Sequence, residues 1–91
     1  MKYELEITSE FRKSYKRMKK RGADMHSLEE VISALQKGKI LAPKYNDHQL
    51  KGKYSKFREC HVGPDWLLLY LIDREILTLT LVKIGNHSDC F

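Results

Sequence analysis

An α+β fold, built in the order β-α-α-β-β-β, is what this 91-residue sequence predicts. Three observations predict it. Residues 2–8 alternate apolar and charged side chains, two amphipathic stretches with helical spacing follow, and the last third alternates apolar runs with turn signals. The final three strands read as an antiparallel meander. The length suits one domain, 1–91, with no repeat or internal linker.

Tyr3, Leu5 and Ile7 share one face of the first strand, with Glu4 and Glu6 on the other. Ser9 offers an N-cap for the first helix, in which Phe11, Tyr15 and Met18 recur at helical spacing and Gly22 ends the element. Its outer side carries Arg12, Lys13, Lys16, Arg17, Lys19, Lys20 and Arg21, which suits either a solvated face or an anionic contact. The second helix begins near Asp24 or Ser27, where Ser27 and Glu30 have capping-box spacing, and Gly38 stops it. The short Gly22-Ala23 link predicts that the two helices pack as an antiparallel pair. Residues 39–53 read as a loop, marked by Pro43, Asn46-Asp47 and Gly52. Strands are predicted over 56–62, 66–72 and 76–84. The middle one (Trp-Leu-Leu-Leu-Tyr-Leu-Ile) is apolar on both faces and so central and doubly covered.

Apolar residues make up 42 % of the chain and charged ones 32 %, above the ordinary ~25 %. Seventeen Lys and Arg against twelve Asp and Glu leave a net charge of +5, which favours anionic partners. Cys60 and Cys90 show no C-x-x-C spacing and fit reduced thiols in a cytosol. No apolar signal core opens the sequence and no run is long enough to span a membrane, so a cytoplasmic protein without a membrane role is expected.

The stretch from His61 to Trp66 crowds an imidazole, a carboxylate and an indole at a tight reversal, with Pro64 suited to the second turn position. His48 and His87 are placed to converge on it from other parts of the chain. Such groups move protons and stack on flat rings, and on a basic protein they point to RNA cleavage. Read by themselves, His61 is an ordinary strand residue, Asp65 a turn former, Trp66 a core residue and Lys83 a solvated strand end. The separations of His48, His61, Asp65 and His87 match no short metal-ligand motif, so neither a metal nor another cofactor is expected.

The segments D-H-Q-L-K-G (47–52), F-R-E-C-H-V-G-P-D-W (57–66) and G-N-H-S-D-C-F (85–91) resemble those of YafQ-type toxins, within the RelE/ParE superfamily of bacterial toxin–antitoxin systems. The resemblance covers nearly the whole chain. It implies a RelE-like fold, a small antiparallel sheet with the two N-terminal helices packed on one face. It also implies a metal-independent endoribonuclease, cutting mRNA bound in the ribosome and restrained by a cognate antitoxin. Operator DNA would be a partner only through the antitoxin complex. The catalytic residues so implied are His48, His61, Asp65 and His87. The residues expected to bind RNA are Lys83, Trp66 and Phe91, with Lys51, Lys53 and Arg58. Lys83 stands where relatives often carry arginine, keeping the charge without the bidentate fork. Cys90 replaces the apolar residue that usually precedes the final Phe.

RNA carries its own nucleophile, the ribose 2′-OH, beside the scissile phosphate, so a protein needs chiefly a base, an acid and a cation. Asp65 would orient or charge one imidazole. Three other readings compete: a ribonuclease acting without the ribosome, a non-enzymatic ParE-like toxin acting by protein binding, and a plain basic binding module.

Overall fold

The computed structural model describes residues 2–90, and side chains as far as Ser88. Strand β1 (Glu4–Ile7) leads directly into α1 (Ser9–Lys20). Thr8, one residue earlier than expected, is the cap, and its hydroxyl accepts from Phe11 N–H at 2.9 Å. Helix α1 closes through Arg21, and Gly22 adopts φ +82° to let the chain leave. Helix α2 (Met25–Gln36) is capped by Asp24, whose carboxylate accepts from His26 and Ser27 N–H and from the Ser27 hydroxyl. The expected Ser27–Glu30 box is thus replaced by a bond from Ser27 back to Asp24. These bonds, led by the Ser27 hydroxyl, hold the Asp24 carboxyl below its ordinary range.

The predicted 39–53 loop contains two single 3-10 turns and a two-residue strand, β2 (His48–Gln49). Then follow β3 (Arg58–Gly63), β4 (Trp66–Asp73), β5 (Thr78–Gly85) and a last helical turn, α3 (His87–Cys90). The sheet order is β1-β5-β4-β3-β2. Pairs β2–β3, β3–β4 and β4–β5 are antiparallel, but β1 runs parallel to β5, with Leu5 opposite Leu79. The sheet is therefore mixed rather than wholly antiparallel. A chain that crosses over through two helices is free to re-enter parallel, whereas hairpins are not. Leu5 and Ile7 stay exposed because β1 is an edge.

Helix α1 lies over β5 and α2 over β3, on one face of the sheet. Their buried side chains (Phe11, Met18, Leu28, Val31, Leu35) meet Cys60, Val62, Trp66, Leu68, Tyr70, Leu79, Leu81 and Ile84. Leu67 and Leu69 point to the opposite face and are nonetheless buried, so β4 is covered on both sides as its composition predicted. The β4–β5 turn runs longer than expected. Asp73 accepts from the N–H groups of Glu75 and Ile76, Leu77 takes φ +56°, and β5 starts only at Thr78.

A bulge in β5 decides where the later residues point. Tyr70 pairs with Leu81 but Leu69 pairs with Lys83, leaving Val82 as the extra residue. Alternation alone would put Lys83 with Leu79 and Leu81 in the core; the bulge turns it to the opposite face. Two hydroxyls from around α1 secure this segment. Thr8 donates to the Val82 carbonyl at 2.7 Å, and Ser14, fully buried, accepts from Ile84 N–H at 3.1 Å. Ser14→Ala would orphan that amide, so a loss of ~1–3 kcal/mol is expected by urea denaturation.

Candidate active site

The face of the sheet turned away from α1 and α2 carries His48 and His61. Backbone register places His48 opposite Glu59, Glu59 opposite Leu69, and Leu69 opposite Lys83, giving one cross-strand row over β2, β3, β4 and β5. A second row runs His61, Leu67, Gly85. His87 opens α3 two residues beyond Gly85 and is exposed. Two banks therefore face each other across the Leu67–Leu69 strip. His48, Glu59 and His61 lie on one side and Lys83 on the other, about 10 Å apart between β3 and β5 at ~4.8 Å per strand, and α3 packs against β4 and β5 beyond Gly85.

Glu59 is the residue that the sequence reading missed. Its side chain is 7 % exposed, and one carboxylate oxygen, Oε1, lies 3.6 Å from His48 Nε2 and 4.0 Å from His61 Nε2. Both imidazoles are about 40 % exposed, so each keeps an edge toward solvent. Half of this was legible: Glu59 and His61 are two apart in a strand and must share a face. The other half was not, because β2 shows no pattern in two residues.

His48 has a defined tautomer. Its Nδ1 lies 2.8 Å from the Asn46 carbonyl, which only accepts, so Nδ1 carries the hydrogen and Nε2 is left to exchange a proton. Asn46 holds that carbonyl in place from a left-handed conformation, φ 46° and ψ 48°.

The remaining expected residues are scattered. Asp65 sits with Pro64 at the tip of the two-residue β3–β4 turn, and Glu59, not Asp65, is the carboxylate that reaches the imidazoles of His48 and His61. Trp66 does not offer a ring to a base. It is 7 % exposed and points into the core, with its indole across Gly63 so closely that a Cβ there would fall 2.3 Å from Nε1. Its reading as a core residue is the one the structure bears out. Arg58 shares the core-side face of β3 with Cys60 and Val62, and its guanidinium is tied to Asp47 and Tyr70; it is not on the histidine face. Lys51 and Lys53 are exposed beside β2, and the Lys53 ammonium lies 5.3 Å from the centroid of the Tyr54 ring. Phe91 lies outside the described residues.

The Cys60 thiol is no nucleophile: burial, with Asp47 and Glu59 nearby, pushes its pKa up to about 12. No group of three His, Cys, Asp or Glu among the described residues is placed to hold a metal ion. A cleft of about 960 Å³ lies at the other end of β4 among Lys2, Arg58, Tyr70 and Arg74, and no histidine lines it. The histidine side carries instead half-exposed imidazoles and a pocket of about 300 Å³ lined by His61, Lys44 and Tyr45. Such a surface suits a polymer better than an enclosed small molecule.

Among the described residues no helix is long and apolar enough to cross a membrane. Residues 3–91 match the family described as a bacterial toxin of type II toxin–antitoxin systems, YafQ. The mRNA interferase toxin YafQ of Escherichia coli K12 is 30 % identical over 89 residues, 97 % of this chain and 95 % of its own length. A metal-bound toxin from Helicobacter pylori is 44 % identical and superposes with a TM-score of 0.91, covering 100 % of both chains. YafQ in the E. coli DinJ–YafQ toxin–antitoxin complex is 29 % identical with a TM-score of 0.89, over 100 % of this chain and 99 % of that one. The chain belongs to the YafQ family of type II toxins and has its RelE-like fold.

Proposed function

We propose that residues 1–91 act as one cytoplasmic mRNA interferase domain that cuts ribosome-bound message by metal-independent transesterification. Membership of a family whose E. coli member is an mRNA interferase makes it an endoribonuclease. The observation that carries the mechanism is the Glu59 carboxylate between His48 and His61, facing Lys83 across the Leu67–Leu69 strip. A phosphodiester over that strip meets proton carriers on both sides, as in-line displacement requires. His48 Nε2 takes the proton of the 2′-OH, the 2′-oxygen bonds to phosphorus, and the bond to the 5′-oxygen breaks. His87 gives that oxygen a proton, and Lys83 balances charge on the phosphoryl oxygens. A 2′,3′-cyclic phosphate and a 5′-hydroxyl result. Glu59 and His61 hold the first bank together, and Lys51 and Lys53 guide the strand electrostatically.

The H. pylori relative is metal-bound. Among the described residues no group of three His, Cys, Asp or Glu is placed to hold a metal ion, and no step is routed through one. A cognate antitoxin is the expected protein partner, by analogy with DinJ bound to E. coli YafQ. Operator DNA is engaged only through that complex, and ribosomal RNA is the surface on which the message is met.

The test is end-mapping of RNA exposed to the purified chain, as naked message and on translating ribosomes, with His87→Ala alongside. Cleavage on ribosomes with 5′-hydroxyl ends, lost in His87→Ala, is the expected result. Equal cleavage of naked message removes the ribosome from the account. No cleavage of either substrate overturns the mechanism.

A further inference from the structure

His48 stands on a strand of two residues at the edge of the sheet, where little main-chain pairing holds it. Its two chain neighbours, Asp47 and Gln49, are both gripped from the other face by one side chain. Arg58 Nη2 lies 3.2 Å from Asp47 Oδ2, Arg58 Nε donates to Asp47 Oδ1 at 3.4 Å, and Arg58 Nη1 donates to Gln49 Oε1 at 3.3 Å. Tyr70, fully buried on β4, donates its hydroxyl to Asp47 Oδ1 and accepts from Arg58 Nε at 3.3 Å. Gln49 is fixed again from its amide, which donates to the carbonyls of Ser55 and Phe57.

We propose that Arg58 and Tyr70 are positioning residues for His48, clamping Asp47 and Gln49 so that the imidazole between them is aimed at Glu59 on the opposite face. Strand alternation does the rest: with both neighbours pinned on one side, the side chain between them has only the other. The planar guanidinium suits the task because its fork engages two partners at once, which an ammonium cannot. The state of the clamp agrees. Burial opposes the Arg58 charge, but Tyr70 and Asp47 outweigh it and raise its pKa, while burial and the Asp47 carboxylate push that of Tyr70 up. Tyr70 is thus held as the neutral donor the clamp needs.

This rests on His48 acting in cleavage, so the test reads ring position separately from activity. Arg58→Met, Tyr70→Phe and Gln49→Ala are compared with wild type and with His48→Ala, each checked for a native amide spectrum. Gln49→Ala, at an exposed edge, keeps the comparison available should a buried variant fail to fold. The His48 ring resonances are expected to shift and broaden while those of His61 hold still. The kcat should fall by about 10²-fold for Arg58→Met with KM little changed. Arg58→Lys should recover only part of the loss, and Arg58→Met should add nothing in a His48→Ala background. Folded variants with an unmoved His48 ring overturn the clamp. Full cleavage by His48→Ala overturns the catalytic reading instead, and the ring resonances still decide the clamp.

Discussion

With His48 replaced by alanine, RNA cleavage is expected to fall by ~10²–10⁴-fold, the range for loss of a positioned acid–base group. Stability should barely change. The ring is 41 % exposed, its Nδ1 bond is to a backbone carbonyl in a loop, and the core does not include it. Single-turnover cleavage beside thermal unfolding separates the two effects. His61→Ala should also be severe, since it removes the second imidazole at Glu59 Oε1. The double variant should lose far less than the product of the single losses, as groups serving one reaction step do. Unchanged cleavage by both single variants would dismiss the Glu59 cluster as chemistry.

Leu68→Ala should have the largest effect on folding, a loss of ~2–5 kcal/mol for a buried leucine truncated in a core. Leu68 is fully buried, and its strand position lies in register between Cys60 on β3 and Ile84 on β5, under the helices. A domain of this size has a total of only ~5–15 kcal/mol, so the variant should show a much lower urea midpoint with little change in slope. The link to function is direct. Leu67 and Leu69, its immediate neighbours, form the strip between the two banks of the site. Activity should persist well below the unfolding midpoint and disappear with the fold, which activity measured against urea concentration would show.

The helices and the long strands were legible because their patterns are local. Phe11 and Met18 recur at helical spacing on α1, and the run from Trp66 to Ile72 is too apolar for any exposed face. What escaped was non-local. Nothing in residues 4–7 says that they pair in parallel with residues 78–81, and His48–Gln49 is too short to show a period. The facing of Lys83 depends on a single extra residue, Val82, whose place in the ladder is fixed by hydroxyls from Thr8 and Ser14. Within the site, His48 and His61 were anticipated and do converge on one carboxylate. That carboxylate was expected at Asp65, because turn chemistry drew notice to the tip of the hairpin rather than to the strand beneath it. Trp66 illustrates the opposite error: an indole next to the turn suggests stacking, but burial on the core side uses the ring for packing.

The cationic stretch of α1 has its own place in this architecture. Phe11, Ser14 and Met18 seat the helix on the sheet, so Arg12, Lys13, Lys16, Arg17, Lys19 and Lys20 project from the reverse of the molecule, away from the imidazoles. The densest cationic face and the imidazole pair thus lie on different sides of the sheet. A polyanion held by the helix alone would lie away from the imidazoles, and a second stretch of it would have to reach the other face for reaction. Affinity for bulk RNA is then a poor guide to turnover, and charge and catalysis are free to vary independently within this one small scaffold.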